Sequence, residues 1–304
     1  MTGAPVESLA SGSGFGLQQC GGALPFWSRR MGKKRMIDGP VDLEGGFSRM
    51  RACRHGLMVY NRNDQYVGRS LDLYGEYAEH EVAVFRSVLR PGDVAVEVGA
   101  NIGAQTLPLS RLVGPSGSVF AFEPQEMLFN LLSANLALNG VTNVRARRIA
   151  VGSETGTIRV PVLDPRCSNN FGALSLGGWE HGEMVPLMTL DSFDLPSCRL
   201  LKADVEGMEA EVLRGASGLI MRHRPVLYVE NDRRDRSAAL IGLIRSMGYR
   251  VWWHTARLFH HDNFAGNPTD VFDGIGAVNL VALPPGSDIH IPDPEITDDH
   301  EWWR

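Results

Sequence analysis

The 304-residue chain contains no run near the roughly 18 consecutive apolar residues that a membrane helix requires. Its first 35 residues also lack the apolar core of a signal peptide. These two absences predict a soluble protein kept in the cytoplasm. An excess of positive charge is missing as well: 30 Lys and Arg against 35 Asp and Glu leave a net charge of −5, which argues against a basic nucleic-acid binder. Cysteine is scarce, and Cys20, Cys53, Cys167 and Cys198 show no short paired spacing of the kind that builds a zinc site or a redox dithiol. Free thiols in a reducing compartment are the simplest reading. No internal repeat, low-complexity tract or P-loop lysine pattern is present.

What is present is the composition of an ordinary globular protein, 43% hydrophobic and 21% charged, which predicts a sizeable core. Residues 1–35 are rich in Gly and Ser and read as a flexible lead-in. Their basic cluster, Arg29, Arg30, Lys33, Lys34 and Arg35, reads as solvated, with contact to nucleic acid or an anionic surface as the alternative. Residues 36–90 form an extension that should pack on a core at 91–285. Residues 286–304 form an acidic tail with six acids and one arginine from Asp288 on, predicted to lie on the surface or be partly disordered.

Within the core, short β-rich runs alternate with helical stretches, the pattern of βαβ units in a mostly parallel sheet. Strands are predicted at Val94–Val98, Ser118–Glu123, Val144–Ile149, Leu200–Asp204, Val226–Glu230, Tyr249–His254 and Val278–Leu283, with helices near 104–112, 127–138, 207–216 and 235–247. Residues 151–196 read as an insertion of hairpins and loop.

The most informative stretch is Glu97-Val98-Gly99-Ala100-Asn101-Ile102-Gly103, a strand that ends in a glycine turn and opens a helix. Such a turn brings backbone N–H groups and a helix N-terminus up to a ligand. The second strand ends at Glu123-Pro124, where an acid is placed to accept hydrogen bonds from both hydroxyls of a ribose. Together they predict a nucleoside pocket at the strand ends. A dinucleotide site would need bare backbone where Asn101 carries a side chain. S-adenosylmethionine, which has adenosine but no phosphate, suits such a loop.

The run Gly92–Gly103, Phe122-Glu123-Pro124 and Leu201-Lys202-Ala203-Asp204-Val205-Glu206-Gly207-Met208-Glu209 together resemble the FkbM family of S-adenosylmethionine-dependent methyltransferases. The resemblance extends over roughly residues 53–284 and takes in Tyr74-Gly75-Glu76-Tyr77, Ala150-Val151-Gly152 and Tyr228–Asp232. It departs from the commonest pattern at Glu97, where Asp is frequent, and at Ala203, where Ile or Val is frequent; both changes leave the carboxylates in place. The resemblance implies an α/β, class I methyltransferase-like Rossmann fold, a seven-stranded mostly parallel sheet whose last strand is antiparallel. It also implies an O-methyltransferase acting on a hydroxyl of a sugar or secondary metabolite. The rival readings are an NAD-dependent oxidoreductase and a non-catalytic nucleotide-binding module.

Methyl transfer needs alignment of acceptor, methyl and sulfur, and a base for the acceptor proton. Asp204 and Glu206 end one strand and form the best candidate pair for base or acceptor binding, with loop anchoring and metal binding as alternatives and no metal assigned. His254, beside Trp253, is a further base candidate, against a histidine satisfied by local hydrogen bonds. Cofactor contacts are assigned to Glu97, Gly99, Ala100, Asn101, Gly103, Glu123, Pro124 and Asp204 and, through the resemblance, to Tyr74, Glu76 and Ala150. Asn169, Asn170, Asn231, Trp253 and Asn263 are acceptor-side candidates. The partner expected is a small-molecule or glycan acceptor, with no nucleic acid and no membrane span; association between copies stays open. If Glu123 takes the ribose, Glu123→Ala should weaken S-adenosylmethionine binding by about 1.5–3 kcal/mol, the worth of hydrogen bonds to a charged group, as read by calorimetry. Unchanged affinity would take Glu123 out of the pocket.

Overall fold

The computed structural model describes residues 39–303; the basic lead-in cluster and Cys20 lie outside them. The described chain begins with a three-stranded antiparallel sheet of β1 (Val41–Asp42), β2 (Ser48–Cys53) and β3 (Gly56–Asn61). Two helices follow, α1 (Val67–Tyr74) and α2 (Glu79–Val88). Helix α1 stops at Gly75, whose left-handed φ of 66° lets its N–H return to the Leu71 carbonyl.

The core then runs β4 (Val94–Val98), α3 (Thr106–Val113), β5 (Ser118–Phe122), α4 (Glu126–Leu138) and β6 (Val144–Arg147). A small second sheet follows, built from β7 (Ala150–Val151), β8 (Gly156–Val160) and β9 (Glu183–Met188). The chain re-enters the core with β10 (Leu200–Ala203), α5 (Glu209–Arg214), α6 (Ser217–His223), β11 (Val226–Glu230), α7 (Arg234–Ser246), β12 (Arg250–Arg257) and β13 (Gly276–Leu283). The main sheet has the order β12-β13-β11-β10-β4-β5-β6, and β13 runs antiparallel to both of its neighbours. This is the seven-stranded arrangement of class I methyltransferases, reached by the expected strand at Val278–Leu283.

The central strands are buried on both faces because helices cover both. Val96, Val98, Leu201, Ala203, Leu227 and Val229 join α5–α7 on one side. Ala95, Leu200, Val226 and Tyr228 meet Phe85 of α2 and Leu109 of α3 on the other. That alternation is the two-residue period of a strand. The N-terminal extension is tied to the core by two asparagines one turn apart, Asn135 on α4 and Asn139 at its C-terminal cap. Asn135 donates to the Val59 carbonyl at 3.0 Å and accepts from its N–H at 2.7 Å, and Asn139 treats Leu57 in the same way. The two amides thus act as a surrogate strand edge for β3.

Two sequence expectations need correction. The helix expected at 207–216 is the shorter α5, capped by Gly215, and a second helix not expected from the sequence, α6, starts afresh at Ser217 with the Asp191 carboxylate accepting from the N–H groups of Gly218 and Leu219. The acidic tail is not loose. Its backbone runs beside β12, with Ile296 N–H donating to Val251 and Trp253 N–H to Pro294. Ile296 is 2% exposed, and Trp302 packs edge-on against Trp253. The tail's acids face outward, where Glu295 pairs with Arg250 and Asp299 with Arg245. The apolar residues between the acids decide the outcome, because they cover an otherwise open sheet edge. Ile296→Ala should therefore destabilise the fold by about 2–5 kcal/mol in urea unfolding; a loss below about 0.5 kcal/mol would show that the tail does not hold the edge.

Candidate active site

The glycine turn after β4 sits against the end of β10. Gly99 has φ 84°, and a Cβ there would lie 1.8 Å from the Asp204 carbonyl oxygen, so only glycine allows the approach. Asn101 adopts a left-handed φ of 51°, and its Oδ1 accepts from the Ile102 N–H at 2.8 Å. The loop amides point at the next strand end, where Glu123 accepts from the N–H groups of Asn101 and Gln125, each at 2.9 Å. Burial pushes the Glu123 carboxyl up to about 7.

One row deeper, strand register places Glu97, Lys202 and Tyr228 side by side on β4, β10 and β11. Thr106 donates to Glu97 Oε2 at 2.6 Å, while Glu97 Oε1 is buried without a partner among the described residues. Burial pushes Glu97 up to about 7, opposed chiefly by the positive charge of Lys202. Lys202 is 2% exposed and donates to Asp204 Oδ2 at 2.9 Å.

Asp204, Glu206 and Glu230 converge at the strand ends, with carboxylate oxygens within 4.8 Å of one another. Glu206 has a left-handed φ of 57°, strained for a residue with a side chain, and the surroundings hold it there. Arg233 pairs with its carboxylate at 3.0 Å, Ser175 Oγ donates to its carbonyl, and the Glu209 carboxylate accepts from the N–H groups of Val205 and Gly207. Burial, then the Asp204 charge, pushes Glu206 up to about 8, and the same causes push Glu230 well up. Three such oxygens suit a divalent cation in principle. Here Lys202 and Arg233 already supply positive charge to two of the three.

These groups line one cavity together with Ala100, Asn170, Asp232, Tyr66, Tyr77, Leu258 and the Ile275–Val278 segment. Of the residues singled out by sequence, Glu97, Gly99, Ala100, Asn101, Glu123, Asp204, Glu206 and Asn170 line it. Gly103, Pro124 and Ala150 do not: Gly103 lies under Leu132, and Ala150 pairs with Leu187 in the small sheet. Asn169 anchors its loop through its backbone to Asn63 and Gln65. Tyr74 is fully buried among Phe259 and Phe272, with its hydroxyl between Thr269 and Val271. Glu76 ties Arg54 to the Phe264 N–H.

The remaining acceptor-side and base candidates are also placed elsewhere. His254 is buried, shares a 2.9 Å hydrogen bond with the Tyr228 hydroxyl, and has its pKa lowered by that burial. Trp253 faces the core on the opposite side of the sheet. Asn231 donates to Ser237, and Asn263 bonds within its own loop to His260 and Asn267. Each is consumed by local structure. Sequence reasoning missed Lys202, Tyr66 and Gln105 in the wall. For Lys202 a signal existed: it stands two residues before Asp204, hence on the same face of one strand.

A family model described as "Methyltransferase FkbM domain" matches residues 97–251. The 31-O-demethyl-FK506 methyltransferase FkbM of Streptomyces tacrolimicus is 30% identical over 196 residues, covering 54% of this chain and 75% of that protein. Methyltransferase 1 of Beauveria bassiana is 29% identical over 142 residues, 40% of this chain and 57% of the relative. The chain thus spans little more than half the length of some curated relatives. A crystal structure of Methyltransferase FkbM from Methylobacillus flagellatus has a TM-score of 0.42 at 18% identity, covering 66% of this chain and 50% of that one.

The buried carboxyls also set a pH dependence. Glu81, Glu97 and Glu123 are each raised by burial from 4.5 to about 7. A group that holds its proton more tightly when folded stabilises below its unfolded value and loses that contribution as pH rises through the folded value. Stability should therefore fall between pH 4.5 and about 7 on account of these groups. Glu81→Gln removes one of them, and its unfolding free energy should fall less steeply across that window, by on the order of 1.4 kcal/mol per pH unit. An unchanged slope would mean that Glu81 does not titrate there.

Proposed function

The chain belongs to the FkbM family of S-adenosylmethionine-dependent methyltransferases, and on that premise we propose that it methylates a hydroxyl of a small-molecule acceptor, a sugar or a secondary metabolite. The observation that carries this reading is one cavity lined by Glu123, Asp204 and Glu97, whose buried Oε1 has no hydrogen-bond partner among the described residues. This donor set suits the cofactor. Glu123 offers acceptor oxygens to a diol, and Glu97 Oε1 offers one to an ammonium. Lys202, the one basic side chain lining the cavity among the described residues, is already engaged by Asp204, so no free cation awaits a phosphate. The Streptomyces tacrolimicus relative is a 31-O-demethyl-FK506 methyltransferase, which supports oxygen as the acceptor atom.

S-adenosylmethionine, when bound, supplies an electrophilic methyl on a sulfonium. The protein's part is to align the acceptor and take its proton. Burial and neighbouring charge push Glu206 and Glu230 toward the protonated form, in which a carboxyl can donate to an acceptor oxygen. Asp204, hydrogen-bonded by an ammonium, is the carboxylate left to act as base. Tyr66, Tyr77, Leu258 and Ile275 supply the apolar part of the cavity wall.

Calorimetry should show binding of S-adenosylmethionine and its demethylated product and none of NAD; binding of NAD alone would sink the reading. With labelled methyl donor and an extract of the source organism as acceptor pool, Asp204→Asn should cut labelled product by roughly 100-fold or more while donor affinity stays within about threefold. Full retention of turnover would remove Asp204 as base.

A further inference from the structure

Lys202 is an unusual residue to find in the middle of a central strand. An ammonium removed from water carries a penalty of several kcal/mol unless partners compensate it. The partners come from three elements: Asp204 just past β10, Glu97 from the neighbouring position on β4, and Glu81 from α2 packed on that face. Tyr228 occupies the flanking position on β11. The three carboxylates outweigh the burial and hold Lys202 above the ordinary lysine range.

The carboxylates are not equivalent. Glu81 and Glu97 are almost wholly buried, whereas the Asp204 side chain is 33% exposed and reaches into the cavity. Only Asp204 receives a hydrogen bond from the ammonium, at Oδ2, and no described residue hydrogen-bonds its Oδ1. Glu230 and Glu206 crowd the same carboxylate from the cavity side, and Tyr77 lines the cavity with them.

We propose that Lys202 is a positioning residue: from beneath the cavity it fixes Asp204 Oδ2, so that the carboxylate stays charged amid other acids and presents Oδ1 to the acceptor. The inference rests on Asp204 being the base of the proposed reaction. A lysine at this strand position gives fixed geometry without touching the acceptor, since period two puts residues 202 and 204 on one face.

Carboxyl-carbon NMR of the full chain labelled at aspartate tests this without any acceptor, with the Asp204 signal identified by its loss in Asp204→Asn. In Lys202→Met that signal should titrate higher than in the natural sequence by about one pH unit or more, and in Lys202→Arg it should stay within about half a unit. An unmoved signal in a folded Lys202→Met overturns the proposal, because the carboxylate would then keep its charge without the ammonium. Should Lys202→Met fail to fold, nitrogen NMR of the natural chain decides. The Lys202 Nζ must be an ammonium at pH 9, and its shift must change in Asp204→Asn. A neutral amine, or an unmoved shift, overturns the proposal. Calorimetry with S-adenosylmethionine separates the two readings: no binding by the natural chain would refute the methyltransferase site and leave the NMR result standing.

Discussion

Any side chain at position 99 would occupy the space of the Asp204 carbonyl oxygen, 1.8 Å from an ideal Cβ. That close approach joins two halves of the site. The loop after β4 can turn toward Glu123 only because Gly99 adopts a positive φ, and the β10 end can lie against it only because Gly99 has no Cβ. The Asp204 N–H then donates to the Val98 carbonyl at 3.0 Å, extending the β4–β10 ladder by one bond beyond the strand. Glu123 and Asp204 reach the same cavity because of this shared edge.

The sheet also explains why so much charge is tolerated beside a core. Two parallel rows cross the strands at their carboxyl ends, Glu97-Lys202-Tyr228 below and Asp204 with Glu230 above. Ladder register alone makes them neighbours, as cross-strand pairs on one face. One buried ammonium faces an excess of carboxylates, and burial pushes Glu81, Glu97, Glu123, Glu206 and Glu230 all upward. A site of this kind opposes folding stability at neutral pH and is sustained by the apolar layers on both faces of the sheet.

Element type and order were readable from the chain because the central strands are uninterrupted β-rich runs bounded by turns such as Pro91-Gly92-Asp93. The glycine turn, Glu123 and Asp204 were readable because backbone geometry demands particular residues there. What could not be read was side-chain direction in loops. Tyr74, Glu76, Asn231 and Asn263 have the chemistry of ligand contacts, yet hydrogen bonds to Thr269, Phe264, Ser237 and Asn267 occupy them. For Tyr74 and Glu76 the partners arrive by tertiary approach, across 195 and 188 residues, which no local period encodes; for Asn231 and Asn263 they lie six and four residues further along the chain.

The tail and the extension show the same limit from the other direction. Asp288–Arg304 has the composition of a solvated segment, but Ile291, Ile296 and Trp302 fall where the edge of β12 offers backbone partners. Asn135 within α4 and Asn139 at its C-terminal cap are polar residues that would count against a buried helix face until β3 supplies the peptide groups they bind. In both cases an unsatisfied backbone edge selects the partner. The polar residues that sequence composition assigns to solvent or ligand are those a sheet edge can claim first. The cavity is then lined by what remains: carboxylates at strand ends, where the ladder has run out of backbone to pair.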